Sequence, residues 1–364
     1  MKKKWIAAVI STCISAAAVL GLLRLLAPQL LGIPLDLEIV QSSNKKVPFF
    51  DVVLNGKEIS RKENYLKDPL LKHRYKPLDP KQPTDILGFR NDGVPNKMDV
   101  VVIGDSQTWG NNAPLKGSWP FQLKVRLKPR RASVYNASVG GWGAVEYFEI
   151  AKRMLLFHPK VLLVAFYTGN DPLDSYMMAY AKKRWAKLRP PQFPDKPSRP
   201  KVNYPPKPSE LWSVEFADGV KTVFTPHGRY ACNRDHPAAE AGYGVMQNVA
   251  NRIAKASRQK GATPIFTILP TKELAFYPKV EKEGLTQDKT YAALVRAERE
   301  RIQTLKGAIS EIEGALYIDT VAPLQDAVLN HPYQYYPKGA DGHPTSRGYG
   351  VIAQTAAAKV DNLL

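Results

Sequence analysis

The sequence predicts an α/β protein: a central parallel sheet between two layers of helices, behind an N-terminal transmembrane helix. Three observations carry this. From residue 99 onward, short apolar β-branched runs alternate with stretches whose apolar residues recur at helical spacing. One of those runs, Val161 to Tyr167, is apolar throughout, as a strand covered on both faces must be. At the other end of the chain, Trp5 to Leu23 runs 19 residues without a charge, enough to cross a bilayer as a helix.

The N-terminus sets the compartment. Met1-Lys2-Lys3-Lys4 is a basic flank that stays in the cytoplasm, so the remainder is expected on the exported side of the inner membrane, in the periplasm or extracytoplasmic space. Ala16-Ala17-Ala18 would serve a signal peptidase, but it lies inside the apolar run, and apolar sequence continues to Ile33. An uncleaved single-pass anchor over 1–33 is the favoured reading. Cys13 has no lipobox-like context. It and Cys232 are the only cysteines, so no internal disulfide is expected, and Cys232 reads as a small, half-buried filler.

Residues 34–95 are polar and turn-rich, a stem and N-terminal extension ending in Gly88-Phe89-Arg90-Asn91-Asp92. The main domain is read over 96–364. Its strands are predicted at 99–103, 133–136, 161–167, 263–269 and 315–319, and its helices at 119–127, 144–157, 237–259, 291–312 and 345–363. Pro237 suits a first helical position, where no N–H is needed. Thr345 or Ser346 is placed to cap the last helix.

An insertion interrupts the alternation at about 177–236. Ala181 to Pro208 holds nine Lys or Arg, one Asp and eight prolines, too little apolar surface to fold alone. A β-hairpin is predicted next, turning at Asp218-Gly219. The block reads either as a solvated loop or as a lid that guides substrate.

Length and composition are those of a globular protein with one or two domains: 364 residues, 44% hydrophobic and 23% charged. The net charge of +19 favours anionic surroundings. The cations are spread along the chain with no nucleic-acid-binding motif among them, so nucleic acid is not the expected partner. His158, His227, His236 and His331 show no ligand spacing, and neither metal nor cofactor is expected.

The chemistry gathers in four short elements at strand ends or before a helix. They are Gly104-Asp105-Ser106, Asn136 to Gly143, Thr168-Gly169-Asn170-Asp171 and Asp341-Gly342-His343-Pro344. A serine hydroxyl is a poor nucleophile until an imidazole takes its proton, and histidine titrates near working pH. A tetrahedral oxyanion needs pre-aimed donors. Glycine lets the backbone approach substrate, and asparagine offers an uncharged N–H. Each residue also has a plainer reading: Ser106 as a helix cap, Gly141 as a turn glycine, Asn170 with Asp171 as an Asx-turn, His343 as a surface loop residue. Trp109, Trp142 and Tyr167 flank the elements, either lining a sugar-binding cleft or packing in the core.

Together the four elements, in this order, resemble the SGNH (GDSL-type) hydrolase superfamily. The motifs lie within about 96–176 and 335–360, and Gly88-Phe89-Arg90 resembles its bacterial members. The resemblance implies a flavodoxin-like SGNH fold. It implies Ser106 as nucleophile, His343 as general base and Asp341 as the acid that orients it. The oxyanion donors would be the N–H groups of Ser106 and Gly141 and the side-chain amide of Asn170. Two positions depart from the family pattern. Thr168 replaces a glycine, and Asp341 stands two residues before His343 where the family has three, at Ala340. Either Asp341 orients His343 through a bent turn, or a backbone carbonyl does so and Ser106 works with His343 as a dyad. Pro270-Thr271-Lys272, at the same predicted edge, is similar to a short stretch of SGNH-like domains in exported polysaccharide O-acetylation proteins. It assigns no role.

The expected activity is that of a cell-envelope serine esterase. It would cleave an O-acyl ester, such as an acetyl ester on a carbohydrate, through an acyl-serine intermediate. Two alternatives remain: an O-acyltransferase acting on an exported polysaccharide, and a non-catalytic glycan-binding scaffold of the same fold.

Overall fold

Five of the apolar runs form one parallel sheet. In chain order its strands are β4 (Val100–Ile103), β5 (Val134–Asn136), β6 (Val161–Tyr167), β9 (Thr263–Leu269) and β10 (Leu316–Ile318), and in space they lie β10-β9-β6-β4-β5. Counted among themselves this is the flavodoxin-like order 2-1-3-4-5, reversing between β4 and β6. The computed structural model describes residues 57–60, 65–68, 70–79, 82–203, 205–331 and 333–364. The expected anchor over 1–33 lies outside the described residues. Among the described residues no helix is long and apolar enough to cross a membrane.

Alternation along the pleat explains why these strands are apolar on both sides. Val101, Ile103, Leu162, Val164, Phe166, Phe266 and Ile268 enter one hydrophobic cluster. Val100, Val102, Leu163, Ala165, Tyr167, Ile265 and Leu269 enter another. Ten helices are described: α1 (Ser106–Trp109), α2 (Trp119–Arg126), α3 (Ala144–Met154), α4 (Asp171–Ala181), α5 (Pro226–Asn233), α6 (Pro237–Gln259), α7 (Lys272–Lys282), α8 (Lys289–Ser310), α9 (Val321–Asn330) and α10 (Ser346–Val360). The first cluster is covered by α3 through Val145 and Ile150, and by α6 through Val245, Val249 and Ile253. The second is covered by α2 through Trp119 and Leu123, and by α10 through Tyr349, Ile352 and Ala356. The sheet is therefore the middle of three layers.

The five sheet strands lie where the sequence puts them, as do α2, α3, α6, α8 and α10. Helices α4, α5, α7 and α9 were not expected. Two of them carry a residue that reads as a breaker, Gly228 inside α5 and Pro278 inside α7. Pro237 does open α6, with the His236 ring accepting from the Ala238 N–H. Thr345 precedes α10 but does not cap it; its hydroxyl donates to the Gln334 carbonyl instead.

Part of the described chain upstream of 96 packs into the core. A small antiparallel sheet, β1 (Lys57–Ser60), β2 (Tyr65–Lys67) and β3 (Arg74–Tyr75), leads into a segment whose Leu71, Tyr75, Leu87, Phe89 and Val94 are buried in the first cluster. The hairpin of β7 (Trp212–Glu215) and β8 (Lys221–Phe224) turns at Asp218-Gly219, with Gly219 at φ +79°. It packs on α7 and α8: Phe216 stacks on Phe276 at 5.4 Å, and Trp212 meets Tyr291 edge-on at 4.7 Å. The basic strap before it lies along α4, whose Tyr176 and Tyr180 hydroxyls donate to the Pro197 and Phe193 carbonyls. Its Lys183, Arg184, Lys187, Lys196, Arg199 and Lys201 remain exposed.

The Gly88 to Asp92 stretch fastens two strand ends. Buried Arg90 donates to the carbonyls of Trp109 (2.9 Å), Gly110 (2.6 Å) and Ala113 (2.7 Å), at and just beyond the end of α1. The Asn91 side chain both accepts from the Asn136 N–H (2.9 Å) and donates to the Asn136 carbonyl (3.0 Å). Replacing Arg90 with Met leaves three carbonyls without their donor, which should cost about 3 kcal/mol. Urea unfolding of the full-length variant checks this, and a loss below about 1 kcal/mol would show the clamp to be dispensable.

Candidate active site

Each carboxyl end of the sheet's inner strands delivers one of the four elements or a neighbour of one. Strand β4 runs into Gly104-Asp105-Ser106, and a Cβ at Gly104 would meet the Thr108 hydroxyl at 2.1 Å, so the tight turn into α1 needs glycine. Buried Asp105 caps α1 by accepting from the Gln107 N–H at 2.9 Å. Ser106 is thus the first residue of a helix, its side chain facing the carboxyl edge.

Ser106, His343 and Asp341 meet, although 237 residues of chain separate the first two. The Ser106 hydroxyl lies 2.8 Å from His343 Nε2, and His343 Nδ1 lies 2.6 Å from Asp341 Oδ1. A second Ser106 contact, to Asp105 Oδ2, is longer at 3.3 Å. Since a carboxylate can only accept, Nδ1 carries the proton and Nε2 is free to take one from the hydroxyl. The two-residue offset works because Asp341 forms an Asx-turn: the same Oδ1 that accepts from Nδ1 also accepts from the His343 N–H at 2.9 Å. Burial opposes ionisation of Asp341, but these hydrogen bonds from His343 outweigh it and hold the carboxyl well below the usual range. Of the two orienting arrangements left open by the sequence, the carboxylate one is present.

The second element passes directly over the serine. A Cβ at Gly140 would lie 3.5 Å from the Ser106 Cβ, and Gly141 has φ +76°, a left-handed conformation that favours glycine. Among the described residues neither the Ser106 N–H nor the Gly141 N–H has a protein partner. Asn170 sits before α4, and its amide donates to Asp174 Oδ2 at 3.0 Å, with a longer 3.4 Å contact to Asp171. Asp171 is fully buried, accepting from the Tyr147 hydroxyl and the Tyr167 N–H; burial, with Asp105 nearby, pushes its carboxyl well up.

The Thr168 departure has a local reason. Its hydroxyl donates to buried Glu298, which also accepts from the Thr271 N–H at 2.8 Å, so one carboxyl joins the ends of β6 and β9. Burial pushes Glu298 up to about 7. The insertion also reaches this turn: from α5, Arg229 donates to the Gly169 carbonyl (3.0 Å) and Asn233 to that of Thr168 (3.1 Å). Cys232 is buried, not half-buried, with its thiol on the Gly169 carbonyl, and burial pushes it up to about 12. Trp109, Trp142 and Tyr167 are 3%, 0% and 1% exposed, so they pack in the core and do not line a cleft. Among the described residues no group of His, Cys, Asp or Glu could hold a metal ion.

Sequence reading missed His73, whose Nε2 lies 2.8 Å from the Gly140 carbonyl. It stands in an irregular segment far from the four elements, with no spacing to flag it. Burial, aided by the Lys72 charge and opposed by the Gly140 bond, lowers its pKa to about 4. Lys72 donates to the Gly141 carbonyl at 3.2 Å. Arg229 and Asn233 were missed because they sit in the insertion.

No protein-family model matches the chain, and no curated protein does. Among solved structures it is similar to a member of the lipolytic protein G-D-S-L family from Veillonella parvula, at 14% identity over 73% of this chain and 100% of that one (TM-score 0.42). A GDSL-like lipase from Bacteroides thetaiotaomicron aligns at 12% identity over 73% and 88% (TM-score 0.36). An acetyl-xylooligosaccharide esterase from Geobacillus Stearmophilus aligns at 12% over 72% and 93% (TM-score 0.41).

The His73 geometry predicts a pH effect on stability. The folded protein keeps His73 neutral down to about pH 4, while the unfolded chain binds a proton below about 6.5. Between those values the unfolded state holds more protons, so stability falls as pH falls through the window. Denaturant unfolding at several pH values should show this slope, flattened in His73→Gln, which keeps an N–H for Gly140. An identical slope in the variant would assign the effect elsewhere.

Proposed function

We propose that the protein is a serine esterase that cleaves an O-acyl ester through an acyl-serine intermediate. The observation that carries this reading is the unbroken line of short hydrogen bonds from Ser106 through His343 to Asp341, at 2.8 and 2.6 Å. Ser106 Oγ attacks the acyl carbon as its proton passes to His343 Nε2. Asp341 stabilises the imidazolium and fixes its tautomer. The oxyanion is received by the Ser106 and Gly141 N–H groups, with Asn170 as a third donor once its amide gives up one of its carboxyl partners. His343 returns the proton to the leaving alkoxide, a water enters by the same route, and the carboxylic acid departs with Ser106 restored.

The compartment belongs to the same proposal. The basic Met1 to Lys4 flank and the uncharged Trp5 to Leu23 run support a single-pass anchor in the inner membrane with the domain outside the cytoplasm. An acylated carbohydrate of the cell envelope is the substrate class this location and the high positive charge favour.

Full-length protein should hydrolyse para-nitrophenyl acetate, and Ser106→Ala should reduce kcat/KM by about 10³-fold or more. Asp341→Asn should cost on the order of 10²-fold, since the carboxyl is half exposed. Equal rates in Ser106→Ala and the parent protein would refute the nucleophile assignment. Absence of turnover together with glycan binding that survives Ser106→Ala would favour the scaffold reading.

Hydrolysis and transfer share every step to the acyl-enzyme. Offered an acetyl donor with an oligosaccharide in water, a hydrolase releases most of the acetyl group as acetate. Mass spectrometry of the oligosaccharide reads the partition, and predominant acetylation of the sugar would assign transfer.

A further inference from the structure

The loop that carries Asp341 and His343 has almost no backbone support. Among the described residues no backbone–backbone hydrogen bond ties residues 337–344 to the rest of the chain. Side chains take its carbonyls instead. Gln107 donates to Gly342 (3.4 Å) and Asn112 to His343 (3.3 Å), both long contacts. The short ones come from Lys272. Its ammonium donates to the carbonyls of Gly339 at 2.8 Å and Asp341 at 3.1 Å, and its third N–H goes to Val223 on the hairpin at 2.6 Å.

Lys272 is fully buried and forms no ion pair within 4 Å among the described residues. A cation is costly in such a place unless every donor is used, and here three donors meet three carbonyls. Its backbone is equally fixed. It is the first residue of α7, following Thr271, which caps that helix and is itself held by Glu298. The ammonium is thus a rigid pin on the residue whose carboxylate aims the imidazole.

We propose that Lys272 is a positioning residue: it pins the Asp341 backbone so that the Asp341–His343 turn meets Ser106. The purpose given to that turn rests on the esterase reading; the pin itself does not. The Asx-turn sets Asp341 against His343 within the loop, and the pin sets that turn against the sheet edge. The charge also has a titration range. The groups facing it are Glu273 on its own helix, Asp341 on the loop and Arg229 on α5, while β8 contributes only the Val223 carbonyl and the Phe224 ring. Burial dominates these and lowers its pKa to about 8. Above that pH the amine keeps two N–H groups for three carbonyls. The unfolded chain still holds the proton there, so this group's contribution to stability rises with pH while the pin weakens. Activity should therefore decline on the alkaline side without loss of the fold.

The test compares full-length wild type, Lys272→Met and Lys272→Arg by circular dichroism, by kcat and KM on para-nitrophenyl acetate across pH, and by the far-downfield proton resonance of the His343 Nδ1–H. In Lys272→Met, a folded protein should lose the downfield resonance, and kcat should drop by about 10²-fold with KM little changed. Wild-type kcat should fall above about pH 8. Lys272→Arg, charged at every working pH, should keep its activity past that point. A folded Lys272→Met with wild-type resonance and kcat would overturn the proposal, as would an unchanged alkaline limb in Lys272→Arg. If Lys272→Met does not fold, the arginine variant decides. If the wild type shows no turnover, the esterase reading fails, while the resonance still reports whether Lys272 holds the turn.

Discussion

Register between the two central strands is the constraint on which the rest of the molecule depends. Val100 lies opposite Val161 and Ile103 opposite Val164, and on the other side Val102 lies opposite Asn136. Parallel pairing makes all three strands end at one edge, and the strand order reverses between β4 and β6, the place where open α/β sheets gather their chemistry. A shift of one residue would turn Val101 and Ile103 toward the opposite layer of helices and carry the Gly-Asp-Ser turn with them. The fit of the two hydrophobic clusters against their helices thus fixes the position of a single hydroxyl.

Around that hydroxyl the protein uses buried carboxyl groups as braces. Asp105 holds the start of α1, Asp171 holds the turn after β6 through Tyr147 and Tyr167, and Glu298 joins Thr168 to Thr271. Each is costly to bury and each is met by named donors, so the loops they hold have few alternatives of similar energy. Asp341 differs: it is half exposed, and its partners lie within its own turn and at Lys272. The oxyanion side of the edge is thus held by buried carboxyl groups, and the imidazole side by an Asx-turn and a buried ammonium.

Much of this was legible in the sequence because it follows from local pattern. The five strands are apolar on both faces and stand out from their flanks, and Ser106, Gly141, Asn170, Asp341 and His343 sit in short motifs at strand ends or just before a helix. What was not legible depends on distant pairs. Nothing near His73 announces the Gly140 carbonyl 67 residues away, and nothing near Lys272 announces Asp341. The offset at Asp341 departs from the family spacing, and a turn in which one oxygen serves both the backbone and the ring of His343 makes two residues sufficient. The short helices α5 and α7 escaped because Gly228 and Pro278 interrupt their patterns, yet they supply Arg229, Asn233 and Lys272.

The outer side of β5 would ordinarily be an open edge. There the Asn91 amide occupies both the N–H and the carbonyl of Asn136, the two groups a further strand would use. One side chain stands in for a neighbouring strand, and β5 is only three residues long. A stray extended segment, from another copy or from chain not yet folded, finds that pairing position filled. The residue that braces the second motif therefore also guards the nearest sheet edge against aggregation.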